Sequence, residues 1–470
     1  MDKFLDTLMS INGTINTIAW VYILLTCVFV GGMYITVRCG FLQFVKFGYA
    51  MKNTIGKMFK KTTAGEGAVT PLQAVTTALS ATVGTGNIVG TCQAIAMGGY
   101  GAVFWLWLAA LLGMIIKYSE VTLSIHYRER DEKGDWVGGP MYYITKGLGK
   151  NWKWLASLFC IFATLASFGI GNMSQANSIA GSIGNAIAAF TPISDSALNT
   201  VELAVGIVLA LLVGLTLFGG IKRIGAVTEK LIPFMSVLYI VFTLIVIFGN
   251  ISQIGVAFGK IFSAAFNPQA VLGAGTGIAM KQAVVWGLRR SAFSNEAGLG
   301  SAAIAHAAAE TPSAVHQGLY GIFEVFVDTI VICTLTAITV IISGVDISFG
   351  VKPGSELVAG AFATVFGNQF AALFVAIALA LFAFSTILGW SLYGSRACEY
   401  LLGQKAVPYY QVLFVVIVLI GATLKLDLVW NIADTLNGFM AIPNLIALLG
   451  LSGVVIRLTK AHFAKPSLKK

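Results

Sequence analysis

The residues 80–87 read Ser80-Ala81-Thr82-Val83-Gly84-Thr85-Gly86-Asn87, two glycines set among four polar side chains. Glycine costs about 1 kcal/mol against alanine inside a helix, and the β-branched Thr and Val weaken it further. A helix that opens here exposes backbone carbonyls and amides. Deep in an apolar layer, open backbone persists only where it lines a cavity or meets a ligand. A surface of small residues for close helix packing is the competing reading. The run Leu272-Gly273-Ala274-Gly275-Thr276-Gly277 repeats the theme with three glycines at alternate positions. Further on, Ser385 and Thr386 are adjacent hydroxyls, and Thr386 shares a helix face with Trp390 four residues later. Hydroxyls, like opened carbonyls, are oxygen donors of the kind that suits a hard cation. The competing reading is that each hydroxyl bonds the carbonyl one turn back. Trp390 either narrows a pocket or packs on lipid.

Other polar groups stand in apolar runs. Phe168, Asn172 and Gln175 offer an aromatic ring and two amides, which bind a ligand or a neighbouring helix. Glu324 and Asp328 lie one turn apart, with Lys281 at comparable depth. A structural ion pair with Lys281 is preferred to a proton relay, since intramembrane charges usually pair. Lys117 and Glu120 pair or reach for the surface. His306 and His316 flank Glu310 after Asn295-Glu296-Ala297-Gly298, which reads as an inner loop and not as a zinc motif. No Ser-His-Asp set, phosphate loop or paired catalytic carboxylates stand out. The six cysteines are dispersed without CxxC spacing.

The elements that must position these groups follow from composition. Of 470 residues, 57% are hydrophobic and only 11% charged, where soluble proteins carry about 25% charge. The expected fold is an all-α multi-pass membrane protein. Eleven stretches are long enough to cross, given about 20 apolar residues per crossing: about 15–37, 70–96, 101–125, 153–188, 201–219, 230–249, 268–290, 316–343, 368–398, 408–424 and 428–456. The net charge of +10 suggests nucleic acid only until the positions are read. Of the 30 basic residues, 24 gather on alternate loops and the tail, Arg289 and Arg290 among them, against four on the other side. That bias puts the amino terminus outside and the carboxyl terminus in the cytoplasm, in a cell (inner) membrane. Residues 41–59 mix Lys with Phe, Met and Ile, as an interfacial amphipathic helix or a basic linker would.

The two glycine-rich interruptions are separated by five stretches and run in opposite directions. Such a pair marks the binding site of a transporter built from two inverted repeats. The first stretch is then an addition. The implied organisation is 1–64 (outer terminus, first helix, basic segment), 65–267 (first repeat of five helices), 268–457 (second repeat) and 458–470 (basic tail).

At these residues the chain resembles a known family. Residues 77–90 (TALSATVGTGNIVG), 98–107 (GGYGAVFWLW), 168–178 (FGIGNMSQANS), 294–305 (SNEAGLGSAAIA) and 321–334 (GIFEVFVDTIVICT) are similar to the alanine or glycine:cation symporters. The resemblance implies a leucine-transporter-like 5+5 inverted repeat with one extra helix. It implies Na⁺-coupled import of a small neutral amino acid, alanine or glycine, by alternating access, with no organic cofactor. By the same resemblance, Thr82, Gly84, Thr85 and Gly86 contact substrate. The residue readings above add Phe168, Asn172, Gln175, Gly275, Thr276, Gly277 and Trp390 to that pocket. By resemblance again, Ser80, Val83, Ser385 and Thr386 hold one Na⁺, and Asn87 resembles a ligand of a second. Proton coupling is the nearest alternative, and an ion channel a more distant one.

Overall fold

The structure is a computed structural model describing residues 2–58, 68–267, 279–424 and 427–464. It is helical almost throughout. Among the described residues nine helices are long and apolar enough to cross a membrane. Of these, α1 is Met9–Arg38, and the second and third expected crossings differ sharply in form. The second is broken into α2 (Pro71–Thr82) and α3 (Thr91–Gly98), joined by a π-turn at Gly86–Gly90. The third is one unbroken helix, α4 (Ala102–Tyr127). Then come α5 (Lys150–Ala188), α6 (Asp195–Leu217), α7 (Gly220–Gly249) and the short α8 (Ile254–Phe266).

The second half contains α9 (Met280–Asn295), α10 (Ser301–Ala307), α11 (Ala314–Ser343) and the short α12 (Glu356–Phe366). It continues through α13 (Asn368–Leu402), α14 (Gln404–Thr423), α15 (Asp427–Gly450) and α16 (Ser452–Phe463). A two-residue antiparallel ladder, β1 (Glu129–Arg130) with β2 (Trp136–Val137), closes the loop after α4. The basic segment resolves into three short helices, Leu42–Val45, Phe47–Asn53 and Ile55–Met58, in place of one amphipathic rod.

The nine continuous crossings therefore fall short of the expected eleven at two places. One is the broken α2–α3 path, neither piece of which spans alone. The other is the seventh crossing, whose residues 268–278 lie outside the described residues, and with them the expected break at Gly275, Thr276 and Gly277.

Local chemistry explains the starts and stops. Thr70 accepts from the Gln73 amide at 3.1 Å while the Gln73 side chain accepts from Thr70 N at 3.2 Å, and Pro71 occupies the first turn. The helix ends at Val83, whose ψ of 89° leaves the helical region. Asn87 covers the gap, accepting from the Gly84 amide at 2.8 Å. α9 ends at Glu296, left-handed at φ 57°, and Gly298 (φ 95°) and Gly300 (φ 77°) carry the chain to α10.

Packing places these interruptions centrally. α4 packs along α9 and α11, while α2 lies against α7, α10 and α13. By contrast α6 and α7 are peripheral, with Leu211, Leu215, Phe234 and Phe248 exposed on an apolar outer face suited to lipid.

Candidate functional site

The first interruption meets the hydroxyl pair. Ser385 Oγ lies 3.3 Å from Ser80 O, 3.5 Å from Val83 O and 2.8 Å from Phe382 O. Thr386 Oγ1 donates to the same Phe382 carbonyl at 3.1 Å. Both residues are buried. The approach depends on glycine on each side. A Cβ on Gly84 would stand 2.3 Å from Thr386 Oγ1, and one on Gly389 would stand 2.7 Å from Ala81 N. Three carbonyls and two hydroxyls thus converge from α2 and α13. Both hydroxyls bond the Phe382 carbonyl one turn back, and Ser385 also reaches the two carbonyls of the interruption; all five are oxygen donors of the hard type. Among the described residues no group of three or more His, Cys, Asp or Glu is placed to hold a metal ion.

The remaining expected residues divide. Gln175 donates to Ile170 O at 3.1 Å, and its Oε1, without a hydrogen-bond partner, lies 3.6 Å from the Cβ position of Gly84. It therefore borders the interruption. Asn172 donates to Phe414 O at 2.8 Å and keeps its Oδ1 without a hydrogen-bond partner, and Phe168 packs on the Tyr410 and Phe414 rings. Thr82 bonds back to Ala78 O and Leu79 O, Thr85 is buried, and Gly86 lies against Phe293 and Ser294. Trp390 is buried, not lipid-facing. It sits on Gly171, where a Cβ would come within 2.3 Å of its side chain, and it stacks edge-on with Tyr393.

Asn87 goes elsewhere than the hydroxyl pair. Its Nδ2 donates to Asp328 Oδ1 at 2.6 Å and to Asp328 O at 3.0 Å. Ser294 Oγ at 2.9 Å and Thr329 Oγ1 at 2.7 Å also donate to Asp328 Oδ2. This carboxylate joins the first interruption to the end of α9, within the π-helical stretch Phe326–Cys333 of α11.

The second interruption, at Glu296–Gly300, is held by α4. Lys117 Nζ caps the Asn295 carbonyl at 2.7 Å and pairs with Glu324 Oε2 at 3.0 Å. Glu120 Oε1 accepts from the Gly298 and Gly300 amides at 3.0 and 3.2 Å and from Asn444 Nδ2 at 2.6 Å. Each charge complements the helix end it faces. Ser301 Oγ donates to Glu296 at 2.6 Å, and His306 Nε2 bonds Glu324. This network corrects the expected pairing of Glu324. Lys281 is exposed at the start of α9, and the partners are Lys117 and His306, both fully buried. His306 is a core residue and not part of an open loop. The signal was present in the i,i+3 spacing of Lys117 and Glu120, but only the fold brings Gly298 and Gly300 to them.

Beyond the first interruption lies a cavity of about 580 Å³, lined by Gln93, Asn177, Asn185, Arg289, Arg290 and Glu356, among others. Arg289 pairs there with Asp434 and donates to Asn16 Oδ1 at 2.7 Å. Lys352 lines the same cavity, so Arg289 and Arg290 belong with its loop, which the charge count puts outside. With these two moved, the expected gathering of 24 basic residues on one side counts 22.

Crossing helices around two central interruptions describe a multi-pass membrane protein, and the family match makes it a transporter and not an enzyme. The chain belongs to the sodium:alanine symporter family, whose profile matches residues 5–470. It is 44% identical over 457 residues to the sodium/alanine symporter AgcS of Methanococcus maripaludis, covering 96% of this chain and 97% of that protein. It is 43% identical to an uncharacterized transporter of Haemophilus influenzae, over 98% and 97% of the two chains. Among solved structures, MhsT in complex with L-phenylalanine has a similar fold. Its TM-score is 0.59 at 14% identity, covering 84% of this chain and all of MhsT.

Proposed function

We propose that this protein imports a small neutral amino acid, alanine or glycine, in symport with Na⁺ by alternating access. The observation that carries the reading is the convergence of Ser80 O, Val83 O, Phe382 O, Ser385 Oγ and Thr386 Oγ1 at an interrupted helix. The substrate then lies against Gly84, Thr85 and Gly86, with Gln175 beside it and Trp390 limiting its side chain. The name of AgcS supports alanine, and the ligand of MhsT supports an amino acid.

The same reading takes α2–α3 and α9–α10, the second pair interrupted at Glu296–Gly300, as the opening helices of two five-helix inverted repeats, 65–267 and 268–457. Counting both gives eleven crossings. The amino terminus is then outside and the basic tail, 458–470, in the cytoplasm. The buried carboxylates Glu324 and Asp328 give proton coupling a specific foothold as the second reading.

Uptake of labelled alanine into proteoliposomes, with inward Na⁺ and inward H⁺ gradients imposed separately, tests it. Accumulation driven by Na⁺ alone is expected. Accumulation driven by a pH gradient in the absence of Na⁺ would replace the mechanism.

A further inference from the structure

We propose that Arg290 anchors a carboxylate-docking subsite in the outer vestibule, where an incoming amino acid is held before it enters the central site. The proposal rests on the amino-acid reading above. Arg290 is 7% exposed, and its Nε–H is buried without a hydrogen-bond partner. Among the described residues its guanidinium meets no carboxylate. Its contacts are two aromatic rings, Trp286 and Phe293, each centred 5.2 Å away.

The neighbouring Arg289 also has a buried Nε–H without a partner, but its terminal nitrogen is satisfied. Arg289 has Asp434 and Asn16. Arg290 has neither, although a buried charge without a partner is costly and marks a functional position in a membrane protein. Two rings hold the planar group and leave its N–H edge unbonded. A planar fork of donors matches the two oxygens of a carboxylate, which an ammonium point charge does not.

Arg290 lines the cavity of about 580 Å³, within the range of small-molecule sites. It is also close to the first interruption. Its Cδ lies 3.7 Å from the Cβ position of Gly90, and Phe293 lies 3.2 Å from that of Gly86. One aromatic side chain therefore separates the subsite from the opened backbone. An amino acid bound by its carboxylate at Arg290 has to pass Phe293 to reach Gly84 and Thr386.

The test measures alanine uptake into right-side-out and inside-out membrane vesicles for wild type, Arg290→Gln and Arg290→Lys. Arg290→Gln is expected to raise the half-saturating alanine concentration at the outer face at least tenfold, a loss overcome at high alanine. The inner-face value should move less than twofold, and Arg290→Lys should fall between. An equal shift on both faces, or none, would make Arg290 a structural residue and overturn the proposal.

Failure of wild type to move alanine would count against the proposed function, and a second measurement would then decide on Arg290. Thermal unfolding of the purified protein is followed with propionate, with chloride, and with gluconate as the bulk anion. Stabilisation by propionate that Arg290→Gln abolishes supports the subsite. No stabilisation, stabilisation kept in the variant, or chloride acting as strongly as propionate overturns it.

Discussion

At the scale of single residues, the hydroxyls of Ser385 and Thr386 matter because three carbonyls share their space. Removing both leaves a dehydrated cation two donors short. Hydrogen bonds to charged groups are worth about 1.5–3 kcal/mol, and we use that scale for each donor. At about 1.4 kcal/mol per tenfold, Ser385→Ala with Thr386→Val should raise the half-saturating Na⁺ concentration of alanine uptake at least tenfold. Unaltered Na⁺ dependence would dismiss the site. Gly84→Ala attacks the same point from the other helix, because its Cβ would stand 2.3 Å from Thr386 Oγ1. The hydroxyl must turn away, so a Na⁺ titration of this variant should shift in the same direction. Trp390, seated on Gly171 one turn from Thr386, sets the size limit in our reading. Trp390→Ala should admit valine or leucine in competition assays, and an unchanged selectivity profile would remove it from the pocket.

At the scale of elements, α4 acts as a clamp on the interrupted α9–α10 pair. Lys117 takes the carbonyl end and Glu120 the amide end of the same gap. The backbone groups freed by the break are thereby satisfied without water. Lys117→Met should destabilise the protein by about 3–5 kcal/mol, because it strips Glu324 of one buried partner. Adding Glu324→Gln should restore much of that loss, since the uncompensated charge goes with it. A double-mutant cycle on thermal unfolding in detergent reads the coupling, and additive losses would show that the pair is not the clamp.

At the scale of the whole molecule, the proposed topology puts the vestibule and the basic loops on opposite faces. Lys352, Glu356 and Arg290 share a cavity, while Lys146 pairs with Glu129 in the loop after α4. Ser355→Cys, on the vestibule, should be labelled by a membrane-impermeant maleimide in intact cells. Lys150→Cys, exposed at the start of α5, should react only in inside-out vesicles. The reverse pattern would invert the proposed topology.

Much of this could be read before folding. Low charge and long apolar runs determined an all-helical membrane protein, because hydrocarbon admits no unpaired backbone. The break at 80–87 was legible because glycine and β-branched residues weaken a helix locally, whatever surrounds it. The hydroxyl pair was legible as adjacent oxygen donors, and its role only through the family resemblance. The partners were not. That Glu324 pairs with Lys117 and His306 and not Lys281, that the amide of Asn172 meets Phe414 O, and that Arg289 and Arg290 face the vestibule depend on which helices touch. The interruption at Glu296–Gly300 lay hidden in a segment read as a loop, since its glycines take meaning only beside Glu120. Periodicity and composition act along the chain and are written in it. Ion pairs and donor sets act across 178 to 324 residues of separation, as between Glu120 and its partners Gly298 and Asn444, and only the tertiary structure sets which groups meet.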